Sequence, residues 1–146
     1  MRLRAAQRLI RFSGLDFSSV FFVNSGAEAN ENALKMAFTL APGRTHVAAV
    51  EQSFHGRTAA AGAVTWGAAA KWYGFPRAPF DVSFMPRRDA AAIEQHVTPR
   101  TAAVIVEPVQ GVGGAFDMGA PFLAALRARC TAVGAQLIFD EVQCGM

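Results

Sequence analysis

An α/β fold with a mostly parallel sheet and flanking helices is what this 146-residue sequence predicts. Three observations lead there. Short apolar runs at 20–23, 46–50, 82–85, 102–106 and 136–139 have the length and the β-branched or aromatic content of buried strands. Helical stretches with recognisable start and stop signals lie between them. The regular alternation of the two is the pattern of right-handed βαβ units.

Composition sets the outer bounds. Hydrophobic residues make up 52% and charged residues 17%, which excludes a disordered chain. A chain of this size buries roughly 70% of its unfolded surface, enough for one real core. No apolar run reaches the ~20 residues of a membrane-spanning helix. The net charge of +3 is mild, and the arginines are scattered, so no nucleic-acid surface is indicated. Cys130 and Cys144 lack metal-ligand spacing and fit a reduced, cytoplasmic protein.

Residues 1–14 carry Arg2, Arg4, Arg8 and Arg11 among Leu3, Leu9 and Ile10. An Arg-rich start can be a transit peptide. This one has no small-residue cleavage pattern and reads as a domain helix ending near Gly14. Residues 20–23 read as the first strand. Asn24, Ser25 and Gly26 break it, and Ser25 with Glu28 has capping-box spacing, so a helix begins there. Its expected buried face is Ala33, Met36, Ala37 and Leu40, and Pro42-Gly43 ends it. A helix N-terminus opening from a strand offers free N–H groups to a phosphate, and Gly26 permits close approach. On spacing alone, however, this is an ordinary capped βα turn.

Residues 46–50 form the second strand, followed by FHGRT at 54–58. Read alone, Phe54 is a core aromatic, Arg57 a solvated charge, and His55 a polar wall or a group that orients a neighbour. Residues 59–80, Ala- and Gly-rich and then aromatic, read as a long irregular loop. Pro86 closes the strand at 82–85, and Asp89 caps a helix with Ala92, Ile93 and Val97 inward and His96 in its last turn. The unbroken apolar run at 102–106 suits a central strand of a parallel sheet. After it, Gly111 and Gly113 invite a dinucleotide reading, but Phe116 stands where the third glycine of G-x-G-x-x-G is required. Pro121 at N1 and Gly134 bound a helix with Phe122, Ala125, Leu126 and Val133 buried and Cys130 within it. The last strand delivers Asp140 to its carboxyl end, where open α/β sheets place their ligands. Alone, Asp140 is equally a strand-end acid capping the next turn.

Four stretches, NSGAEANE at 24–31, FHGRT at 54–58, VEPVQG at 106–111 and DEVQ at 140–143, together resemble the motifs of the class III pyridoxal-phosphate aminotransferases, in the same order. This is the acetylornithine and ornithine aminotransferase group. The resemblance implies the large domain of a fold-type I pyridoxal-phosphate enzyme, with pyridoxal 5'-phosphate as cofactor. By matching position, Ser25, Gly26 and Ala27 hold the cofactor phosphate. Phe54 and Val142 cover the two ring faces, Asp140 bonds the pyridine nitrogen, and Gln143 lies near the 3-oxygen. Arg57 matches an arginine that binds substrate carboxylate, where a guanidinium forms two parallel hydrogen bonds. Glu107 matches a glutamate that pairs with an arginine outside this chain. Val112 departs from the pattern, since most members carry Glu there.

The implied reaction moves an amino group from an ω-amino donor such as N-acetylornithine to 2-oxoglutarate. Succinylornithine, ornithine, 4-aminobutyrate and aminoadipate-type members share these motifs. A truncated, non-catalytic module and a nucleotide-binding α/β protein are the readings from other classes. Residues 1–146 would form the central part of the large domain, with an N-terminal segment, the Schiff-base lysine region and a C-terminal small domain outside it. The family lysine lies after the next strand. Lys35 and Lys71 do not match it, so the chain as given is expected to be inactive. The partners implied are amino acid and 2-oxo acid substrates and, for the full-length form, a second copy in a homodimer to which Trp66, Trp72 and Tyr73 contribute.

Overall fold

The computed structural model describes residues 1–145. In chain order the elements are α1 (Arg2–Ser13), α2 (Gly26–Leu40), β1 (His46–Val50), α3 (Ala59–Ala63), α4 (Ala68–Lys71), β2 (Asp81–Met85), α5 (Ile93–His96), β3 (Thr101–Val106), β4 (Val109–Gln110), β5 (Phe116–Asp117), α6 (Ala120–Val133) and β6 (Gln136–Phe139). Four strands form one parallel sheet in the order β2-β1-β3-β6, and β4 and β5 form a small antiparallel pair.

All six residues of β3 are buried, because the strand has a core on each side. Alternate side chains point to opposite faces. Ala48, Val50, Val104 and Val106 meet Phe122, Leu126 and Cys130 of α6 and Ile93 of α5. Val47, Ala49, Ala103 and Ile105 meet Leu34 and Ala37 of α2 and Ala60 of α3. The unbroken apolar run thus follows from burial on both faces. Chain order jumps across the sheet: β1 is flanked by β2 and β3, so the loops after β1 and β3 diverge above the same strand ends. That divergence opens the crevice in which α/β proteins bind ligands.

Several sequence expectations are corrected. Residues 20–23 are not a strand; Phe21 is 66% exposed and no described strand pairs with them. Strand propensity needs a hydrogen-bonding neighbour to become a strand. In α2 the buried stripe is Asn30, Leu34 and Ala37, while Met36 and Leu40 are exposed. The helix presents the face that the sheet covers, and Ala33 lies at its margin. Residues 59–80 are less irregular than expected. The Glu31 carboxylate receives the Thr58 hydroxyl and the N–H groups of Ala60 and Ala61, capping α3 from α2. Thr58 stands at the N-cap, but its hydroxyl goes to Glu31 and makes no local cap bond, and five small residues in a row leave no apolar periodicity to mark the helix. Asp89 accepts from the N–H groups of Ala91 and Ala92, yet regular helix is confined to Ile93–His96. The last long helix starts one residue early, at Ala120, with Pro121 next.

Arg44 staples the far end of the sheet. Its guanidinium donates to Thr101 O at 2.8 Å, Gly134 O at 3.0 Å and Val133 O at 2.9 Å. Two of these carbonyls end α6, where a cation is favoured by the helix dipole. Arg44→Met keeps the stem and removes the donors. It should cost about 2 kcal/mol, read as a lower urea midpoint at constant m-value; an unchanged midpoint would remove the staple from the account.

Candidate functional site

The first turn of α2, the loop after β1 and the end of β6 converge on a cavity of about 400 Å³. Its wall includes Gly26, Ala27 and Asn30 from α2, Phe54 to Thr58 from the loop, and Asp140 and Val142 from the chain after β6. Ser25 is the N-cap of α2, in extended backbone, and its hydroxyl accepts from Glu28 N at 3.2 Å. The Glu28 carboxylate reaches back to Asn24 N at 2.7 Å, so the helix start is closed from both sides.

Two glycines let these elements meet. A side-chain carbon at Gly56 would lie 2.9 Å from Ala27 Cα, and the backbone there has φ 126°, so the loop presses directly on α2. One at Gly26 would lie 2.7 Å from a methyl of Val142. Thr65 supports the loop from below: its hydroxyl receives His55 N at 2.9 Å and donates toward Gly56 O at 3.1 Å.

Asp140 is 5% exposed. Its Oδ2 accepts from Asn30 Nδ2 at 2.7 Å and from His55 Nδ1 at 2.8 Å, and its Oδ1 accepts from Val142 N at 3.2 Å. Burial pushes this carboxyl up, but the hydrogen bond and charge of His55, with Asn30 and Val142 N, outweigh it and hold the group below the usual carboxylate range. Glu107, also 5% exposed, lies behind the loop and accepts from Phe54 N at 3.0 Å. Burial raises its pKa against the opposing pull of that hydrogen bond.

Of the residues singled out in the sequence, Gly26, Ala27, Phe54, Arg57, Asp140 and Val142 share the cavity wall. Ser25, Glu107 and Gln143 do not. Ser25 caps α2, and Glu107 braces the Phe54 loop. Gln143 lies over Gly111, where an added side-chain carbon would collide with its side-chain oxygen. Arg57 is exposed at the rim, and none of the ion pairs among the described residues engages it. The sequence reading missed Asn30 and Gly56. Asn30 does leave a signal, being the polar member of the otherwise apolar 30-34-37 stripe.

The wall fits a flat heteroaromatic ring carrying an anionic tail. Phe54 offers an apolar face, Asp140 an acceptor for a ring N–H, and the start of α2 a positive dipole end. Among the described residues no cluster of His, Cys, Asp and Glu could hold a metal ion, and no helix is long and apolar enough to cross a membrane.

Comparison with known proteins agrees with this chemistry. Residues 2–146 match the family model "Aminotransferase class-III". An acetylornithine aminotransferase of Vibrio vulnificus is 44% identical over 98% of this chain and 36% of its own length. An acetylornithine/succinyldiaminopimelate aminotransferase of Yersinia pestis is 43% identical over 99% of this chain and 36% of its own length. An ornithine aminotransferase structure from Toxoplasma gondii, described with partial occupancy of PLP at its active site, superposes with a TM-score of 0.84 at 29% identity, covering 97% of this chain and 35% of that one. The chain therefore spans about a third of the length of these relatives.

The titration of Asp140 is open to test. Its folded-state pKa is depressed, so it contributes stability above the unfolded-state value that disappears as pH falls through the folded one. In the full-length protein, Asp140→Asn should flatten the acid limb of a plot of melting temperature against pH. Parallel curves for parent and variant would show that Asp140 is not stabilised by its neighbours.

Proposed function

Because the chain belongs to the class-III aminotransferases, a family of pyridoxal-phosphate-dependent transaminases, we propose that the protein carrying it transfers an amino group from an ω-amino donor such as N-acetylornithine to 2-oxoglutarate. The observation that carries this reading is the convergence of the phosphate-cup turn, Phe54, Arg57 and Asp140 on one cavity. In this reading residues 1–146 are the central part of the cofactor-binding large domain, and the lysine that carries the cofactor lies outside them.

Gly26 and Ala27, with Ser25 just outside the wall, receive the cofactor phosphate, where their N–H groups precede the first helical hydrogen bond and that of Glu28 is already taken by Ser25. Phe54 and Val142 supply apolar contact to the ring, and Asp140 accepts from its nitrogen. Gln143, which lies over Gly111, is assigned to the ring oxygen by its place in the DEVQ motif. When bound, the cofactor supplies an electron sink for the substrate carbon. An ionised Asp140 favours the protonated ring and so keeps that sink effective. Arg57, without an ion pair among the described residues, takes a substrate carboxylate, and Glu107, matched to a substrate-side glutamate, stands behind Phe54 and braces its loop.

The donor is assigned to N-acetylornithine because relatives of that name run at 44% identity. Succinylornithine, ornithine and 4-aminobutyrate are the competing donors, and comparing kcat/KM across the four decides among them. We also place the full-length protein in the cytoplasm as a homodimer. Both cysteines are free, and the aromatics assigned to the contact with a second copy are Trp66 at 38% and Trp72 at 41% exposure, with the half-buried Tyr73.

Two experiments test this reading. In the full-length protein, Arg57→Ala should raise KM for the keto acid roughly tenfold and leave cofactor affinity within about twofold. Loss of an exposed charge-assisted contact is worth on the order of 1–2 kcal/mol. Unchanged KM values for every donor and for the keto acid would remove Arg57 from the substrate site. The second uses the 146-residue chain. Lys71 is exposed beside Gly67, and Lys35 is exposed on α2, roughly 13 Å along the axis from Gly26; neither lines the cavity. Pyridoxal phosphate should therefore bind without a covalent link, and borohydride should fix no stoichiometric adduct. A single adduct on either lysine, with amino transfer, would overturn the placement of the carrier lysine outside residues 1–146.

A further inference from the structure

We infer that Asn30 and His55 are positioning residues that occupy one oxygen of Asp140 and so present the other to the ring nitrogen of the cofactor. This rests on the assignment of Asp140 made above. The amide nitrogen of Asn30 donates to Asp140 Oδ2 at 2.7 Å and to the backbone oxygen of His55 at 2.9 Å. One buried side chain thereby ties together α2, the loop after β1 and the end of β6. Both of its hydrogens are used, and Asn30 is 5% exposed, so water does not compete.

His55 adds the second donor to the same oxygen, at 2.8 Å. An ionised carboxylate has no hydrogen to give, so the imidazole Nδ1 carries the proton in this bond. The side chain of His55 is fully buried. Its other nitrogen, Nε2, has no hydrogen-bond partner among the described residues. A buried polar atom left unpaired costs stability. The ring is thus held in place for what Nδ1 does, and donation to Asp140 is the one polar contact its side chain makes among the described residues.

The two donors fill Oδ2. Among the described residues Oδ1 receives only Val142 N, at 3.2 Å, and keeps a free lone pair. Asn30, His55 and Asp140 all line the cavity. The lone pair left on Oδ1 is the acceptor a ring N–H requires, and the two donors also hold the carboxylate ionised below the usual range. The other carboxylate nearby is Glu107, whose pKa is raised by burial and then by the charge of Asp140.

The test follows the pH at which pyridoxal phosphate affinity weakens on the acid side, by equilibrium titration in the full-length protein. Asn30→Leu keeps the bulk and removes the donor without adding a charge beside Asp140. His55→Phe keeps the bulk and removes the other. Each should move the acid limb up by about one pH unit, the scale expected for one lost charge-assisted bond. His55→Asn retains an N–H near the Nδ1 position and should restore the parental limb. If both donor-deleting variants keep the parental limb while Asp140→Asn abolishes it, the positioning role is overturned and Asp140 stands. If Asp140→Asn also leaves the limb in place, the assignment of Asp140 is overturned, and this inference with it. Melting curves of the same proteins separate a shifted limb from a failed fold.

Discussion

A carboxylate buried at the end of a sheet strand is the constraint on which the site depends. Asp140 follows β6 directly and is almost wholly removed from water. An unpaired charge in that position would be strongly destabilising. Donors must come from elements that are distant in sequence, and they do: Asn30 lies 110 residues away and His55 85. Satisfying this one group fixes how α2, the loop after β1 and the chain after β6 meet. The cavity is the space left between them.

The sheet makes that meeting possible. Because β1 and β3 are buried on both faces, helices must cover each side, and α2 is held against one face by Leu34 and Ala37. That packing aims the N-terminus of α2 at the strand ends. Gly56 then allows the loop to touch the first turn of α2, where any side chain would collide with Ala27. Glu107 and Gln110 brace the same loop through Phe54 N and Glu51 O. The loop that carries Phe54, His55 and Arg57 is therefore held from three sides.

Legibility in the sequence followed the range of the interactions. The strands at 46–50, 82–85 and 102–106 and the caps at Ser25, Gly14 and Gly134 are set by nearby residues, and they stand where the sequence puts them. Residues 20–23 have strand composition but no partner strand among the described residues, and composition does not supply hydrogen bonds. The α2 face was misjudged because Met36 and Leu40 are apolar yet turned outward. Residues 59–80 hid two short helices because the cap of the first is Glu31, on another element. The hairpin of β4 and β5 is two residues per strand and leaves no periodic trace.

The sequence alone determined the α/β class, the order of most elements and the residue types that make the family legible: NSGAEANE, FHGRT, VEPVQG and DEVQ. These are local patterns, and local patterns follow from backbone propensity and from side-chain chemistry at fixed spacing. Tertiary structure alone decided that Asn30 belongs to the site, that His55 donates from Nδ1 and that Gly56 is a point of contact. It also decided that Glu107 turns its carboxylate to Phe54 N. Each of these depends on which groups are brought within 3 Å or so of one another across long stretches of chain, and spacing along the sequence does not encode that distance.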